Sequence, residues 1–455
     1  MHHFTEYIQQ FGRFQRNAQL YLLTNALTGT SGGIVLVLYT LYLSALGYST
    51  NLIGLILFVA TLGAGIAIFP AGLCIDRFSG KAILIWSTVL ISIAGVGQIL
   101  FRNPVLLCAS VFIVGIGVAF QFALNAPFLT TNSTPAERTH LFSINIVLSL
   151  VTTVLGEIIG GALPLWLRGH AWAMLPLPPT LSWLLASQPL ARSYQITLLF
   201  AGLIAAPNFI PLCLMSDDHP TLARSEQTQS WLEFTRGQII KFQNIMQKSH
   251  ALITRSERTN STSRQRLRAL LLSPLAILTS VNILFGFGAG MLLPYFSLFF
   301  VQHLGATSAL FGIIDGTANA LNAISTLLAP WLAIRIGRVA TIIFPRLLGT
   351  LVMLCIGIST FLPLAAILYP LRQGLTDMPN GILQVFSMEV IPPQHRGLAN
   401  SSYQSANQVA WATATPIGGI MISHLGYTSV FLMTATLYTL AMALLWWRFD
   451  LQKHA

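Results

Sequence analysis

The stretch "LGYSTNLIGLI" at residues 46–56 returns 258 positions later as "LGATSALFGII" at residues 304–314. The two stretches share leucine, glycine and isoleucine at equivalent positions. Further pairs keep the same offset along the chain: Arg77/Arg335, Pro135/Pro393, Arg138/Arg396, Ser143/Ser401, Gly160/Gly418 and Gly161/Gly419. A fixed offset shared by so many positions indicates an internal duplication. The sequence therefore predicts two halves of like fold and like orientation.

Apolar spans fill both halves. Of the 455 residues, 54% are hydrophobic and only 8% charged, whereas a soluble globular protein carries about 25% charged residues. A window of about 20 residues, long enough to cross a bilayer as a helix, finds six spans in each half. The spans lie near residues 20–43, 51–75, 82–101, 105–129, 141–165, 195–215, 270–300, 309–334, 339–360, 363–390, 398–423 and 427–447. We therefore expect an all-α membrane protein, with two six-helix bundles related by a pseudo-twofold axis along the membrane normal.

Polar segments divide the chain into five parts. These are an N-terminal segment (1–19), a first bundle (20–215), a linker (216–269), a second bundle (270–447) and a tail (448–455). Within the linker, "WLEFTRGQIIKFQNIM" at residues 231–246 is compatible with an amphipathic helix on the membrane surface and equally with a plain loop.

The basic residues indicate which helix ends face the cytosol. With both termini inside, 19 Lys and Arg residues lie on the inner side and three on the outer side, as the positive-inside rule requires. The net charge of +11 then reflects contact with the inner leaflet and gives no indication of nucleic acid binding. We expect a monomeric, multi-pass protein of the cell (inner or plasma) membrane, embedded in the lipid bilayer, with both termini cytosolic.

Two loops resemble the cytosolic loop signature of the major facilitator superfamily: "AGLCIDRFSGK" at residues 71–81 and "PWLAIRIGR" at residues 330–338. The matching residues are Gly72, Asp76, Arg77 and Lys81 in the first loop, and Arg335 and Arg338 in the second. In addition, residues 388–419 are similar to the segment that joins the tenth and eleventh helices in many bacterial members. The resemblance covers nearly the whole chain. It implies a secondary transporter that moves a small organic solute by alternating access, without a cofactor.

The same resemblance implies a charge clamp between the two halves at the cytosolic loops. An acid such as Asp76 is attracted by basic groups and by the positive N-terminal end of a helix from the other half. Such a contact would hold the outward-facing state and break when the protein opens inward. The alternative is a solvated turn whose arginines extend towards water.

Polar side chains follow one face of several spans, at the helical spacing of three to four residues. In the superfamily, helices 1, 4, 7 and 10 line the cavity, so the resemblance assigns their polar residues to the substrate path. These residues are Asn25, Gln121, Asn125, Asn282, Gln373, Asp377, Asn380 and Gln384. The alternative is that they only form hydrogen bonds between helices, worth about 0.6–2 kcal/mol each.

Three charged residues, Glu157, Asp315 and Arg372, lie at a similar predicted depth within the apolar spans. A charge at that depth costs several kcal/mol or more unless it is paired or hydrated. We expect Arg372 to pair with Glu157 or Asp315 in the outer part of the cavity. A pairing that changes with occupancy or protonation would couple transport to protons; the alternative is a static ion pair. Arg346 is expected to extend back towards the inner membrane surface.

The direction of transport is suggested by "GEIIGG" at residues 156–161, which overlaps the fifth-helix signature of the superfamily's antiporters. Gly156, Gly160 and Gly161 of the signature are kept, whereas Thr152 replaces its earlier glycine and Glu157 stands where those antiporters carry proline. The segment favours efflux of a drug or metabolite in exchange for protons. The alternative is uptake of a sugar or an organic anion by symport. An anion would require more cavity Arg or Lys than Arg372 alone.

Catalytic motifs are missing from the sequence. It contains no His-Glu-x-x-His, no Gly-x-Ser-x-Gly, no phosphate-binding loop and no cluster with metal-ligand spacing. We therefore expect neither an enzyme nor a metal site. A sensor with a transporter fold stays open as an alternative, which solute transport in proteoliposomes would exclude.

Overall fold

A computed structural model of the chain describes residues 14–134, 137–170, 184–216, 273–390 and 396–449. The described residues form twelve helices in two sets of six. The first set is α1 (Arg16–Ala45), α2 (Thr50–Arg77), α3 (Gly80–Leu100), α4 (Pro104–Thr131), α5 (Arg138–Arg168) and α6 (Pro189–Leu214). The second set is α7 (Pro274–His303), α8 (Ser308–Ile336), α9 (Arg338–Ile358), α10 (Leu362–Asp377 and Asn380–Glu389), α11 (Arg396–Leu425) and α12 (Tyr427–Phe449).

Each predicted apolar span coincides with one of these helices, with ends that differ by a few residues. Nine stretches of described helix are long and apolar enough to cross a membrane. Most of the predicted linker, including residues 231–246, lies outside the described residues.

The duplicated stretch builds the same corner in each half. Gly47 and Gly305 have φ angles of +89° and +71°, a backbone region that glycine enters without steric cost. Two residues further on, the side chains of Ser49 and Thr307 each accept a hydrogen bond from the first turn of the next helix. Such N-caps satisfy backbone N–H groups that a helix leaves free. The repeat therefore marks a turn and a cap that start α2 and α8.

The next repeated glycine brings the two halves together. A Cβ atom on Gly54 would overlap the backbone of α11 at Pro416, and one on Gly312 would overlap the backbone of α5 at Glu157. The repeated pair Gly161 and Gly419 lies in the same two interfaces. Because glycine has no side chain, α2 packs closely on α11 and α8 on α5, as small residues allow between membrane helices.

The halves are joined at the end of the bundle opposite the start of α1 and the end of α12. Hydrogen bonds cross between the halves there at the α1–α7, α2–α11 and α5–α8 contacts. They join Thr40 to Ser297 (2.6 Å), Gln302 to Ser44 (2.5 Å), Thr50 to the Gly419 carbonyl (3.0 Å), Ser423 to Asn51 (2.7 Å) and Ser308 to the Gly161 carbonyl (3.0 Å). We call this end the closed end.

The hydrogen bond between the hydroxyls of Thr40 and Ser297 is fully buried, so its contribution can be measured. The double-mutant cycle of Thr40→Val and Ser297→Ala is expected to give a coupling energy of about 0.6–2 kcal/mol, as for other hydrogen bonds between membrane helices. The measurement is the free energy of unfolding in mixed micelles. The control cycle replaces Thr40→Val by Thr61→Val and keeps Ser297→Ala, because the Thr61 hydroxyl donates to a carbonyl of its own helix. Additive effects of Thr40→Val and Ser297→Ala would contradict the contact.

Candidate functional site

Two buried carboxylates lie close together where α5 of the first half meets α8 of the second. Glu157 has no solvent-exposed surface, and Asp315 is 7% exposed. Asn319 donates a 2.8 Å hydrogen bond to Oε1 of Glu157, whereas Oε2 is buried without a hydrogen-bond partner. The hydroxyl of Tyr369 donates a 2.9 Å hydrogen bond to Asp315. The two carboxylates are near enough to repel each other when both are ionised.

The hydrogen bonds around Glu157 extend through three helices. The side-chain oxygen of Asn319 on α8 accepts a 2.9 Å hydrogen bond from Gln373 on α10, while its nitrogen donates to Glu157 on α5. Glu157 is therefore connected by hydrogen bonds to two helices of the second half. Gln373 thus serves this network, while the cavity described below is lined by other predicted path residues of α10.

The glycines of α5 explain how a glutamate side chain becomes so enclosed. A Cβ atom on Gly156 would overlap the backbone of α1 at Thr30, and one on Gly160 would crowd Ile34 of the same helix. On the opposite face, Gly161 touches the backbone of α8. Helix α5 is therefore in backbone contact with neighbours on two sides, and the space left around Glu157 excludes water.

The predicted ion pair of Arg372 with Glu157 or Asp315 is not formed. Among the described residues, no carboxylate lies within salt-bridge distance of Arg372. The position beside Asp315 is occupied by Tyr369, three residues earlier on α10. Arg372 instead lies near the Tyr438 hydroxyl, and its guanidinium is 5.4 Å from the centre of the Phe296 ring.

A cavity of about 380 Å³ opens between α7, α9, α10, α11 and α12. All described residues that line it belong to the second half. The predicted path residues along its wall are Asn282, Asp377, Asn380 and Gln384, together with Arg372. Its aromatic wall includes Phe285, Trp411 and Tyr438. The role of these side chains in binding stays a prediction.

Polar residues of the first half bond mainly to each other. Asn25 donates a 2.7 Å hydrogen bond to Asn145, which in turn donates to Asn125 at 3.4 Å. Gln121 donates to the Thr88 hydroxyl at 3.2 Å. These contacts tie α1, α4 and α5 together and α3 to α4, which is the alternative that the sequence left open for single amides.

Arg346 does not extend to the membrane surface as expected. It is only 2% exposed and lines the cavity. Its guanidinium donates to Asn380 at 2.6 Å and to the Thr376 carbonyl at 3.3 Å, and it lies 4.2 Å from the centre of the Phe285 ring. The position of Arg346 along its helix could not show that this side chain lines the cavity, because an arginine eight residues into a helix can either extend outwards or turn inwards. The sequence feature that could have indicated this position is the row of amide and carboxylate residues on the neighbouring α10.

The arginines of the second signature loop contact their own half in this structure. Arg338 forms an ion pair with Glu389 of α10, and the Arg335 guanidinium lies 4.3 Å from the Trp331 ring centre on the same helix. Arg77 is exposed, and the side chain of Asp76 lies outside the described part of the chain. A clamp that forms only in the opposite state stays a prediction.

The sequence profile of the Major Facilitator Superfamily matches residues 21–280 and 278–455. The chain belongs to this superfamily. It is therefore a multi-pass membrane protein and a secondary transporter of that type, and the predicted fold of two six-helix bundles is confirmed. This membership points to a transporter rather than an enzyme.

Solved structures share the fold at low sequence identity. A nucleoside transporter, the NupG D323A mutant, has a TM-score of 0.70 at 12% identity, covering 95% of this chain and 100% of its own. A bacterial homologue of the human lysosomal transporter Spinster, inward-facing and unoccupied, has a TM-score of 0.67 at 13% identity. The match covers 95% of this chain and 96% of the homologue. A D-xylose–proton symporter has a TM-score of 0.65 at 17% identity, and the match covers 94% of this chain and 97% of the symporter. No curated protein sequence matches the chain.

Proposed function

We propose that the chain is a proton-coupled transporter of a small organic solute that works by alternating access. The observation that carries this proposal is the side chain of Glu157, which is enclosed between the two halves with one oxygen unpartnered. Enclosing an ionised carboxylate away from water costs several kcal/mol. Closure of the halves over Glu157 is therefore linked to the proton that this side chain carries.

We propose further that the termini are cytosolic in the cell membrane, as the distribution of basic residues predicts. The closed end then faces outwards, and the cavity between α7, α10 and α11 faces the cytosol. Opening the outer side has to break the hydrogen bond from Asn319 to Glu157, because its two partners lie on opposite halves. Glu157 would then meet external water and exchange its proton there.

For the direction of transport, we favour efflux in exchange for protons, by a monomer. The glycines of "GEIIGG", which coincide with the antiporter signature, are the residues that bring α5 against α1 and α8. Proton release to the cytosol would follow solute loading in such a cycle. Uptake by symport is the alternative, in which proton and solute cross in the same step.

The test uses the purified protein in proteoliposomes that contain a pH-sensitive dye. Solutes found by growth screens of cells with and without the protein, on toxic compounds and nutrients, are added on one side. We expect solute movement to drive protons the opposite way and an imposed pH gradient to accelerate it. Protons moving in the same direction would favour symport. Solute transport that is indifferent to pH gradients would contradict coupling, and failure to move any solute would favour a sensor with a transporter fold.

A further inference from the structure

Two arginines line the cavity, and each keeps a nitrogen without a partner. Arg346 and Arg372 are both 2% exposed. Nη1 of Arg346 and Nε of Arg372 are buried and donate no hydrogen bond to any of the described residues. A buried N–H group that gives up water without gaining an acceptor costs about 1–3 kcal/mol, and more when it is charged. The two cations that line the cavity therefore keep hydrogen-bonding capacity that the described residues leave unfilled.

The charges around the cavity do not balance. The titratable groups on its wall are Arg346, Arg372, Asp377, Tyr403 and Tyr438, and tyrosines are neutral near pH 7. The single carboxylate, Asp377, is attracted electrostatically by both guanidinium groups, but among the described residues it forms no salt bridge with either. One positive charge in a mostly apolar membrane protein is left over, which only an anion can neutralise.

The Arg346 side chain is held in place before any ligand arrives. Arg346 is fixed by its hydrogen bonds to Asn380 and the Thr376 carbonyl. Its planar group lies against Phe285, whose other neighbour is Tyr438, stacked at 4.1 Å. A guanidinium fixed in this way loses little further freedom when it binds a planar carboxylate.

We propose that this cavity binds a small organic monoanion, with its carboxylate between Arg346 and Arg372 and its apolar part against Phe285 and Trp411. The proposal rests on the proposed transport function and assigns its substrate class. A monoanion cancels the excess positive charge, whereas a neutral sugar leaves it uncompensated and an organic cation adds a second positive charge. A volume of about 380 Å³ lies at the small end of ligand pockets, which fits a metabolite better than a large drug.

The test measures binding to the purified full chain in an uncharged detergent, with two sets of matched probes. One set is benzoate, benzamide and benzylammonium; the other is hexanoate, hexanamide and hexylammonium. Calorimetry and the thermal unfolding midpoint are expected to show the carboxylate binding at least about 10-fold tighter than its amide, as one charge-assisted hydrogen bond supplies. The ammonium probes are expected not to bind. Equal responses to carboxylate and amide, or no response to any probe, would overturn the proposal.

Variants separate binding from structure. Arg346→Gln and Arg372→Gln are expected to weaken benzoate binding about 10- to 100-fold, while Arg102→Gln, outside the cavity, leaves it unchanged. Asp377→Asn removes a competing negative charge and is expected to tighten benzoate binding several-fold, which a purely structural role would not produce. Weaker benzoate binding by Asp377→Asn would contradict the charge argument, even if the arginine variants fail to fold.

Anionic lipid could satisfy the same arginines, so phosphatidylglycerol is added as a competitor. We expect it to leave benzoate binding unchanged; displacement would assign the site to a lipid headgroup and overturn the proposal. The outcome is also separable from the proposed function. Proton-linked transport without preference for anions would overturn only this inference, and anion binding without proton-linked transport would overturn only the coupling.

Discussion

Glu157→Gln is expected to reduce solute-driven proton movement in proteoliposomes by about 100-fold or more, the size typical of losing a positioned proton-transfer group. Glutamine has nearly the shape of glutamate and can still accept the hydrogen bond from Asn319, but its amide does not bind or release a proton at any working pH. The dye inside the vesicles reports the proton flux, and the solute flux is measured in parallel. Solute movement without proton movement is the expected signature.

The controls for Glu157→Gln come from the same helix and the same site. Glu137→Gln changes the charge at the far end of α5, next to its first residue Arg138, and is expected to have little effect. Asp315→Asn keeps an acceptor for the Tyr369 hydroxyl. It is expected to impair coupling less than Glu157→Gln, because position 315 keeps its hydrogen bond to Tyr369. Full proton coupling in both Glu157→Gln and Asp315→Asn would exclude the carboxylate pair as the proton site.

The duplicated residues show why the fold was readable from the sequence. Gly47, Ser49 and Gly54 serve a turn, a helix cap and a helix contact, and each has a counterpart 258 residues later in the same role. The two glycine roles depend on the absence of a side chain, and the cap depends on a side-chain hydroxyl that accepts a hydrogen bond from the next helix. They leave a pattern of residue types that hydropathy alone does not contain.

The partners of buried charges were harder to predict. Helical rise gives the depth of Glu157, Asp315 and Arg372, but pairing also depends on how α10 is rotated. Here Tyr369 takes the position beside Asp315, and Arg372 turns to the cavity. Arg346 shows the same limit from the other side, since a single arginine in an apolar helix does not reveal whether it faces lipid or cavity.

The two halves differ in how they use polar residues, despite their common origin. In the first half, Asn25, Asn125 and Asn145 are bonded into one group, so these amides mainly hold helices together. In the second half, charged groups surround an open volume without completing each other's hydrogen bonds. The first half is thus suited to act as a frame that carries Glu157 and the second half to hold the solute. In the proposed cycle, movement between the two halves would link the proton to the solute.

Gly161→Val is expected to keep the halves apart at the closed end. A Cβ atom on Gly161 would overlap the Ser308 carbonyl and touch the Cα of Gly312, so the larger valine forces α5 away from α8. Overpacking of this kind costs about 1–3 kcal/mol, which shifts the balance between the two states about 5- to 150-fold towards the one open at this end. Transport should fall accordingly. The shift is measured as faster labelling of Ser44→Cys by a membrane-impermeant maleimide, in a chain without its four native cysteines.

Matched substitutions decide whether the effect comes from the interface between the halves. Gly419 is the repeat counterpart of Gly161, and its Cβ atom would overlap the Thr50 carbonyl in the α2–α11 contact. Gly419→Val is therefore expected to act in the same direction, whereas Gly202→Val on α6, where a Cβ meets nothing within 4 Å, is not. Gly161→Ala should give a smaller shift, since it adds only one carbon. Unchanged labelling in both interface variants would mean that closure does not depend on these glycines, and the alternating-access role given to this end would have to be abandoned.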